Sequence, residues 1–278
     1  MAPLQTPRAP KHDFVAPRLP RLRLTKPRGQ GSIDLDDTTV IVKGNRLTIP
    51  PFEDEKTFLA GLILEQGHHV TAVGATQSGK TTLMVKWVLP RRKCTIALAT
   101  KRRDPSRYPR LQAAGFVIKT EPGFDPSTDP KVIFRPGLKL KDHSVSEAKA
   151  EQRAGFERVL TDVIEEGSWA VYGDEIRYLA KDLKLTEELE QLWLQGASEL
   201  VTMIVSTQRP VAIPVVAFES AWHLFVFRTT DVRNIERIAE FEGANEPLLR
   251  WLLPRLSEHE ALYIETRTGR MVRTKVRA

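Results

Sequence analysis

Residues 74–81 read Gly74-Ala75-Thr76-Gln77-Ser78-Gly79-Lys80-Thr81, which matches G-x-x-x-x-G-K-[ST] at every fixed position. His69 to Val73, just before, is a short apolar strand, and residues 79–89, just after, carry a helical pattern stopped by Pro90. Strand, loop and helix in that order bring several backbone N–H groups to one point, with the positive end of the helix behind them. That arrangement suits a phosphate chain. The nucleotide-binding set is Gly74, Ala75, Thr76, Gln77, Ser78, Gly79, Lys80, Thr81 and Thr82. In it Lys80 reaches the β- and γ-phosphates and the Thr81 hydroxyl ligates magnesium, so ATP with Mg²⁺ is the expected cofactor pair.

The rest of the chain frames this loop. It has 278 residues, 41% hydrophobic and 28% charged, which suits one large domain with appendages. No apolar run approaches the ~18–20 residues of a membrane helix, and no apolar leader opens the chain, so no membrane span and a cytoplasmic location (a bacterial cell or a phage-infected host) are expected. One cysteine, Cys94, excludes an internal disulfide framework. The net charge of +7 is unevenly placed: residues 1–30 carry +6, residues 267–278 carry +5, and the stretch between carries −4. Basic ends suit a polyanion.

Residues 1–30 hold six prolines and few large apolar side chains, and read as a disordered basic tail. Residues 31–53 read as a small β-hairpin segment turning at Lys43-Gly44-Asn45. Residues 54–278 read as the nucleotide-binding domain, opened by a helix over 54–66 with Phe58, Leu59, Leu62 and Ile63 on one face. Continuous apolar strands at 94–99, 132–134, 169–172, 200–205 and 224–227 alternate with helices. Ser144-x-x-Glu147 is a capping box opening a helix to about 166, and Thr186 caps another ending at Gly196. The pattern predicts an α/β fold with a mostly parallel sheet, helices on both faces, and small hairpins at the N-terminal and C-terminal ends.

Two strand tips carry the chemistry. Trp169 to Gly173 ends in Asp174-Glu175, where Asp174 suits the Mg²⁺ shell and Glu175 suits a general base for water. Leu200 to Val205 ends in Ser206-Thr207-Gln208-Arg209-Pro210, where Gln208 suits a γ-phosphate sensor. The loop, the Asp-Glu strand and the strand ending Ser-Thr-Gln-Arg-Pro together resemble the FtsK/HerA superfamily of DNA-pumping P-loop ATPases, over about residues 54–266. Thr100-Lys101 stands where the family often has Asp-Pro-Lys, and Phe225 to Asp231 resembles its last core strand. The resemblance implies a RecA-like core, a homo-hexameric ring, double-stranded DNA in its pore, and an arginine completing a neighbour's site. Ala197 and Leu200 stand where the family often has an arginine and a glycine, so Arg209, Arg228 and Arg233 become the candidates, with Arg209 and Arg228 placed in the catalytic set.

A dense basic run, Arg91, Arg92, Lys93, Lys101, Arg102, Arg103, Arg107 and Arg110, reads as either a phosphate-backbone contact or a solvated loop. The basic tail is open to DNA or to a docking or portal-type partner. The expected function is an ATP-hydrolysing motor that moves or packages duplex DNA. Two alternatives stay open: a nucleotide-gated DNA-binding or assembly protein, and a small-molecule P-loop kinase. The 68 residues after Pro210 are too few for the nuclease domain of a terminase. Trp169, Trp193, Trp222 and Trp251 read as core, Cys94 as a small core hydrophobe, and His69 as structural.

Overall fold

The computed structural model describes residues 39–42, 44–101, 103–137, 144–240 and 245–277. The basic tail, Arg102 and the first part of the predicted hairpin segment lie outside the described residues. The elements run β1 (Thr39–Val42), β2 (Asn45–Thr48), α1 (Glu55–Gly61), β3 (His69–Val73), α2 (Lys80–Leu83), β4 (Thr95–Leu98), α3 (Tyr108–Ala113), β5 (Val117–Lys119) and β6 (Lys131–Phe134). They continue α4 (Val145–Glu166), β7 (Ala170–Gly173), α5 (Thr186–Gln195), β8 (Thr202–Thr207), α6 (Val216–Glu219), β9 (Ala221–Phe227), α7 (Val232–Ala239), α8 (Glu246–Leu252), β10 (Glu260–Glu265) and β11 (Arg270–Lys275).

Nine strands form one sheet in the order β11-β10-β9-β3-β8-β7-β4-β6-β5. The seven from β9 to β5 run parallel, while β10 and β11 close one edge antiparallel. β3, β4, β7 and β8 are buried at every residue, as a parallel sheet covered on both faces requires. Phe58 of α1, Leu83 of α2 and Leu111 of α3 pack on one face, with Val70, Ile204 and Phe225. Phe156 and Leu160 of α4, Leu189 of α5 and Leu249 of α8 pack on the other, with Ile96, Val171, Met203 and Leu262. The α/β architecture expected from the strand–helix alternation is present, with both hairpins. The β1–β2 hairpin sends Leu47 and Ile49 into the second core.

The capping box at Ser144 is formed on both sides: Glu147 N–H donates to Ser144 Oγ at 3.2 Å, and Ser144 N–H donates to Glu147 Oε2 at 2.7 Å. Other expectations need correction. α1 is shorter than 54–66, and Ile63 is exposed rather than on its buried face. The helix after the loop keeps α geometry only to Leu83. It widens to a π-type turn over Met84–Val88, where Met84, Val85, Trp87 and Val88 are buried, and continues through Pro90 as a 3-10 turn to Arg91 rather than stopping at the proline. Thr186 is not a cap, because its hydroxyl donates to Ala180 O at 3.0 Å. Trp222 is only half-buried, stacked on His68 at 3.6 Å with Arg267 over its ring at 5.5 Å. Trp169, Trp193, Trp251 and Cys94 are buried as expected.

Two members of the basic run are structural. Arg92 is 3% exposed, and its guanidinium donates to the carbonyls of Leu64, Glu65 and His68 at 3.1, 2.6 and 3.3 Å, pinning the turn into β3. Arg107 is likewise buried. An Arg92→Ala variant strands those carbonyls, so its urea midpoint is expected to drop by the equivalent of about 3 kcal/mol. An unchanged melt would mean that Arg92 is dispensable to the fold.

His69 ties β3 to its neighbours as a neutral ring. Met203 N–H donates to His69 Nδ1 at 3.0 Å, and Nε2 lies 3.2 Å from Trp193 O, which makes Nε2 the protonated nitrogen. Burial pushes its pKa down to about 4, and burial pushes that of His223, whose Nδ1 lies 2.8 Å from Tyr263 Oη, down to about 3. Both lie below the ordinary value, so the unfolded chain takes up these protons first as pH falls. Below about pH 6.5 each histidine is expected to remove ~1.4 kcal/mol of stability per pH unit, until its own folded-state value is reached. Urea melts at pH 7, 6 and 5 test this, and His69→Gln, which keeps one donor and one acceptor, should flatten the slope by one proton. An identical slope in that variant contradicts the assignment.

Candidate active site

Register puts the chemical groups at one edge of the sheet. Val73 pairs with Thr207, Gly173 pairs with Val205, and Leu98 pairs with Gly173. The phosphate loop, Gln208, the Asp174-Glu175 pair and Lys101 therefore follow the tips of four adjacent strands, in the lateral order β3, β8, β7, β4. Such an edge, at the carboxyl ends of parallel strands, is where open α/β sheets bind ligands.

The loop is held as a cradle. Gly74 N–H donates to Thr207 O at 3.1 Å, extending the β3–β8 ladder by one bond. A Cβ at Gly74 would lie 2.6 Å from Ser78 Oγ and 2.7 Å from Phe227 Cβ, so only glycine fits. Gln77 (φ 62°) and Gly79 (φ 113°) take the left-handed turns that curl the backbone. Lys80 opens α2 and is 9% exposed, and its Nζ donates to the carbonyls of Gly74 and Ala75, both at 2.7 Å. Burial pulls its pKa down to about 8, opposed by the attraction of Asp174.

The two carboxylates sit in different surroundings. Asp174 Oδ1 accepts from Ser206 Oγ at 2.7 Å and from Tyr172 Oη at 3.0 Å, while Oδ2 lies 2.8 Å from Arg107 Nη1. Glu175 is about one-third exposed, and its Oε1 accepts from Lys101 Nζ at 2.5 Å. That contact holds the Lys101 ammonium above its usual range. Gln208 Oε1 accepts from Thr76 Oγ1 at 3.0 Å, which couples the β8 tip to the loop.

Thr76, Lys80, Lys101, Asp174, Glu175 and Gln208 line a cleft of about 680 Å³ together with Gly79, Thr81, Thr82, Arg209 and Arg110, while Arg107, Ser206 and Tyr172 stand behind it. Every predicted catalytic residue except Arg228 lies on it. Arg228 lines an adjoining cleft on the other side of the loop, with Gly74, Ala75, Ser78, Gln208, Asp231 and Asn234. Arg233 heads α7, where its N–H donates to Asp231 Oδ1 at 3.0 Å. Thr81 and Asp174 offer hydroxyl and carboxylate oxygens, the hard donors that magnesium takes alongside phosphate and water. Among the described residues no group of three or more His, Cys, Asp or Glu side chains could hold an ion without such help.

Three further groups meet at the site. Lys101, at the Thr100-Lys101 strand tip, and Arg107 stand in the basic run, and nothing local in the sequence marks either as the partner of a carboxylate more than 60 residues away. His259, at φ 61° in the turn before β10, brings Nδ1 to 3.2 Å from Ser78 O and lines both clefts.

No protein-family model and no curated protein matches the sequence. Solved structures do. The genome-packaging NTPase B204 of Sulfolobus turreted icosahedral virus 2, solved with sulfate, is 15% identical over 76% of this chain and 98% of B204, with a TM-score of 0.55. Its complex with ATP-gammaS matches at 14% identity over 76% and 98%, with a TM-score of 0.54. VirB4 of Thermoanaerobacter pseudethanolicus is 9% identical over 87% of this chain and 96% of VirB4, with a TM-score of 0.52. These likenesses show the fold: this chain shares the architecture of B204 and VirB4 over most of its length.

Proposed function

We propose that this chain hydrolyses ATP and uses the cycle to move or package double-stranded DNA, as a homo-oligomeric ring. The observation that carries the reading is the convergence of Lys80, Asp174, Glu175 and Gln208 on one cleft, with Gln208 bonded to the loop through Thr76. B204, described as the DNA-packaging ATPase of a Sulfolobus virus, shares the fold over 76% of this chain, which supports that substrate.

The roles follow from chemistry. The loop's N–H groups and the start of α2 receive the phosphate chain, and Lys80 exchanges its bonds to Gly74 and Ala75 for phosphate oxygens. Thr81 and Asp174 would hold Mg²⁺, which would supply charge neutralisation at the phosphates. Glu175, the more exposed carboxylate, takes the proton of the attacking water once it leaves Lys101. Gln208 orients that water or reads the γ-phosphate. Arg209, in this cleft, stabilises the charge that builds on the γ-phosphate, and Arg228, on the adjoining cleft, is the candidate to complete a neighbouring subunit's site. Exposed Arg103, with the basic tail, gives duplex DNA a nonspecific electrostatic grip.

Steady-state ATP hydrolysis with and without linear duplex DNA tests this. Severalfold stimulation by DNA is expected, weakening as salt rises because phosphate contacts release counterions. Lys80→Ala should abolish hydrolysis, and Glu175→Gln should retain bound ATP while slowing turnover by roughly a hundredfold or more. Hydrolysis indifferent to duplex DNA overturns the motor reading, and transfer of phosphate to a small acceptor points to the kinase instead.

A further inference from the structure

Asp174 and Glu175 stand at one strand tip, yet each is already matched by a cation of the chain itself. Lys101 Nζ lies 2.5 Å from Glu175 Oε1, and Arg107 Nη1 lies 2.8 Å from Asp174 Oδ2. One turn delivers both cations. Asp104 Oδ1 accepts from Arg107 N–H at 3.0 Å and from Ser106 Oγ at 2.7 Å, and the Tyr108 hydroxyl donates to the Lys101 carbonyl. The turn is therefore fixed at both ends. It drives Arg107 inward until the side chain is 2% exposed, with its guanidinium 5.1 Å from the Tyr108 ring centroid and 6.0 Å from that of Tyr172. Arg107 Nε also lies 3.5 Å from Asp104 Oδ2. Asp174 cannot rotate away, because Ser206 and Tyr172 hold its other oxygen.

Asp104, Asp174 and Glu175 face Lys80, Lys101 and Arg107, and Asp174 acts electrostatically on all three cations. The cleft adds Arg110, Arg177 and Arg209 against Asp182 alone, so its charged side chains sum to a net positive charge. A divalent cation entering alone would add positive charge to a partly desolvated group of side chains whose acids are already matched. The same cation arriving on a nucleotide brings its own compensating phosphates.

We propose that Arg107, with Lys101, is a positioning residue that makes divalent-ion binding conditional on nucleotide: it aims Asp174 and cancels the charge that would otherwise hold a bare ion. This rests on reading Asp174 as the acid of the magnesium shell. Arg107 touches neither substrate nor reacting atoms, and acts through Asp174.

The test is binding of Mn²⁺ alone to the full chain, followed by the spin-resonance signal of the free ion. The wild type and Arg107→Lys should bind it weakly. Arg107→Met and Lys101→Ala should each bind it roughly tenfold or more tightly, since each leaves a carboxylate unmatched. Adding Asp174→Asn to Arg107→Met should remove the gain. Lys101 is half exposed, so Lys101→Ala carries the test even if Arg107→Met fails to fold. Mn²⁺ affinities equal to wild type in variants that still bind Mn²⁺–ATP overturn the inference. A wild type that does not bind Mn²⁺–ATP overturns the reading of the site itself, which is a separate result.

Discussion

Parallel strands all end at the same edge of their sheet, and in this protein that constraint assembles the site. β3, β8, β7 and β4 lie side by side, so groups separated by up to 134 positions in sequence are brought onto one cleft by register alone. The register is in turn set by two hydrophobic cores that leave no polar residue a choice of face along β3 or β8. Thr71 shows the discipline: fully buried mid-strand, its hydroxyl donates to Ala217 O at 2.7 Å. Slipping β8 by one residue would turn Ser206 away from Asp174 and break the support of the acid.

Within that frame the site is an electrostatic arrangement more than a shape. Burial is paired with compensation throughout. Lys80 is desolvated and bonded to the loop that surrounds it, Arg107 is desolvated and set against Asp174, and Glu175 is left near solvent beside Lys101. The more buried acid is the better tied one, and the more exposed acid is the freer one. That difference fits a division of labour between a fixed shell carboxylate and a movable base.

The amino-acid sequence discloses the loop, the acid pair and the Gln208 tip because each is a local pattern with its own chemistry. Strand–helix alternation likewise gives the parallel sheet away, and the Ser144–Glu147 box marks the start of α4. What stays hidden is long-range and depends on burial. Arg107 and Arg92 look in sequence like their exposed neighbours Arg103 and Lys93, and only the fold shows that two of them face inward. His259 is reached through the antiparallel addition of β10, which no local signal ties to the loop 181 positions earlier. The widened turn at Met84–Val88 has no local sequence signal either, since its apolar residues fit an ordinary helical pattern equally well.

The proposed motor converts chemistry at the strand tips into movement along duplex DNA. Displacement of a third strand from a linear duplex measures this most directly, because a protein advancing along the duplex strips the third strand off. Release of the third strand is expected with ATP, and none with a non-hydrolysable analogue or with Lys80→Ala. ATP consumed at a DNA-stimulated rate with the third strand left in place would contradict it.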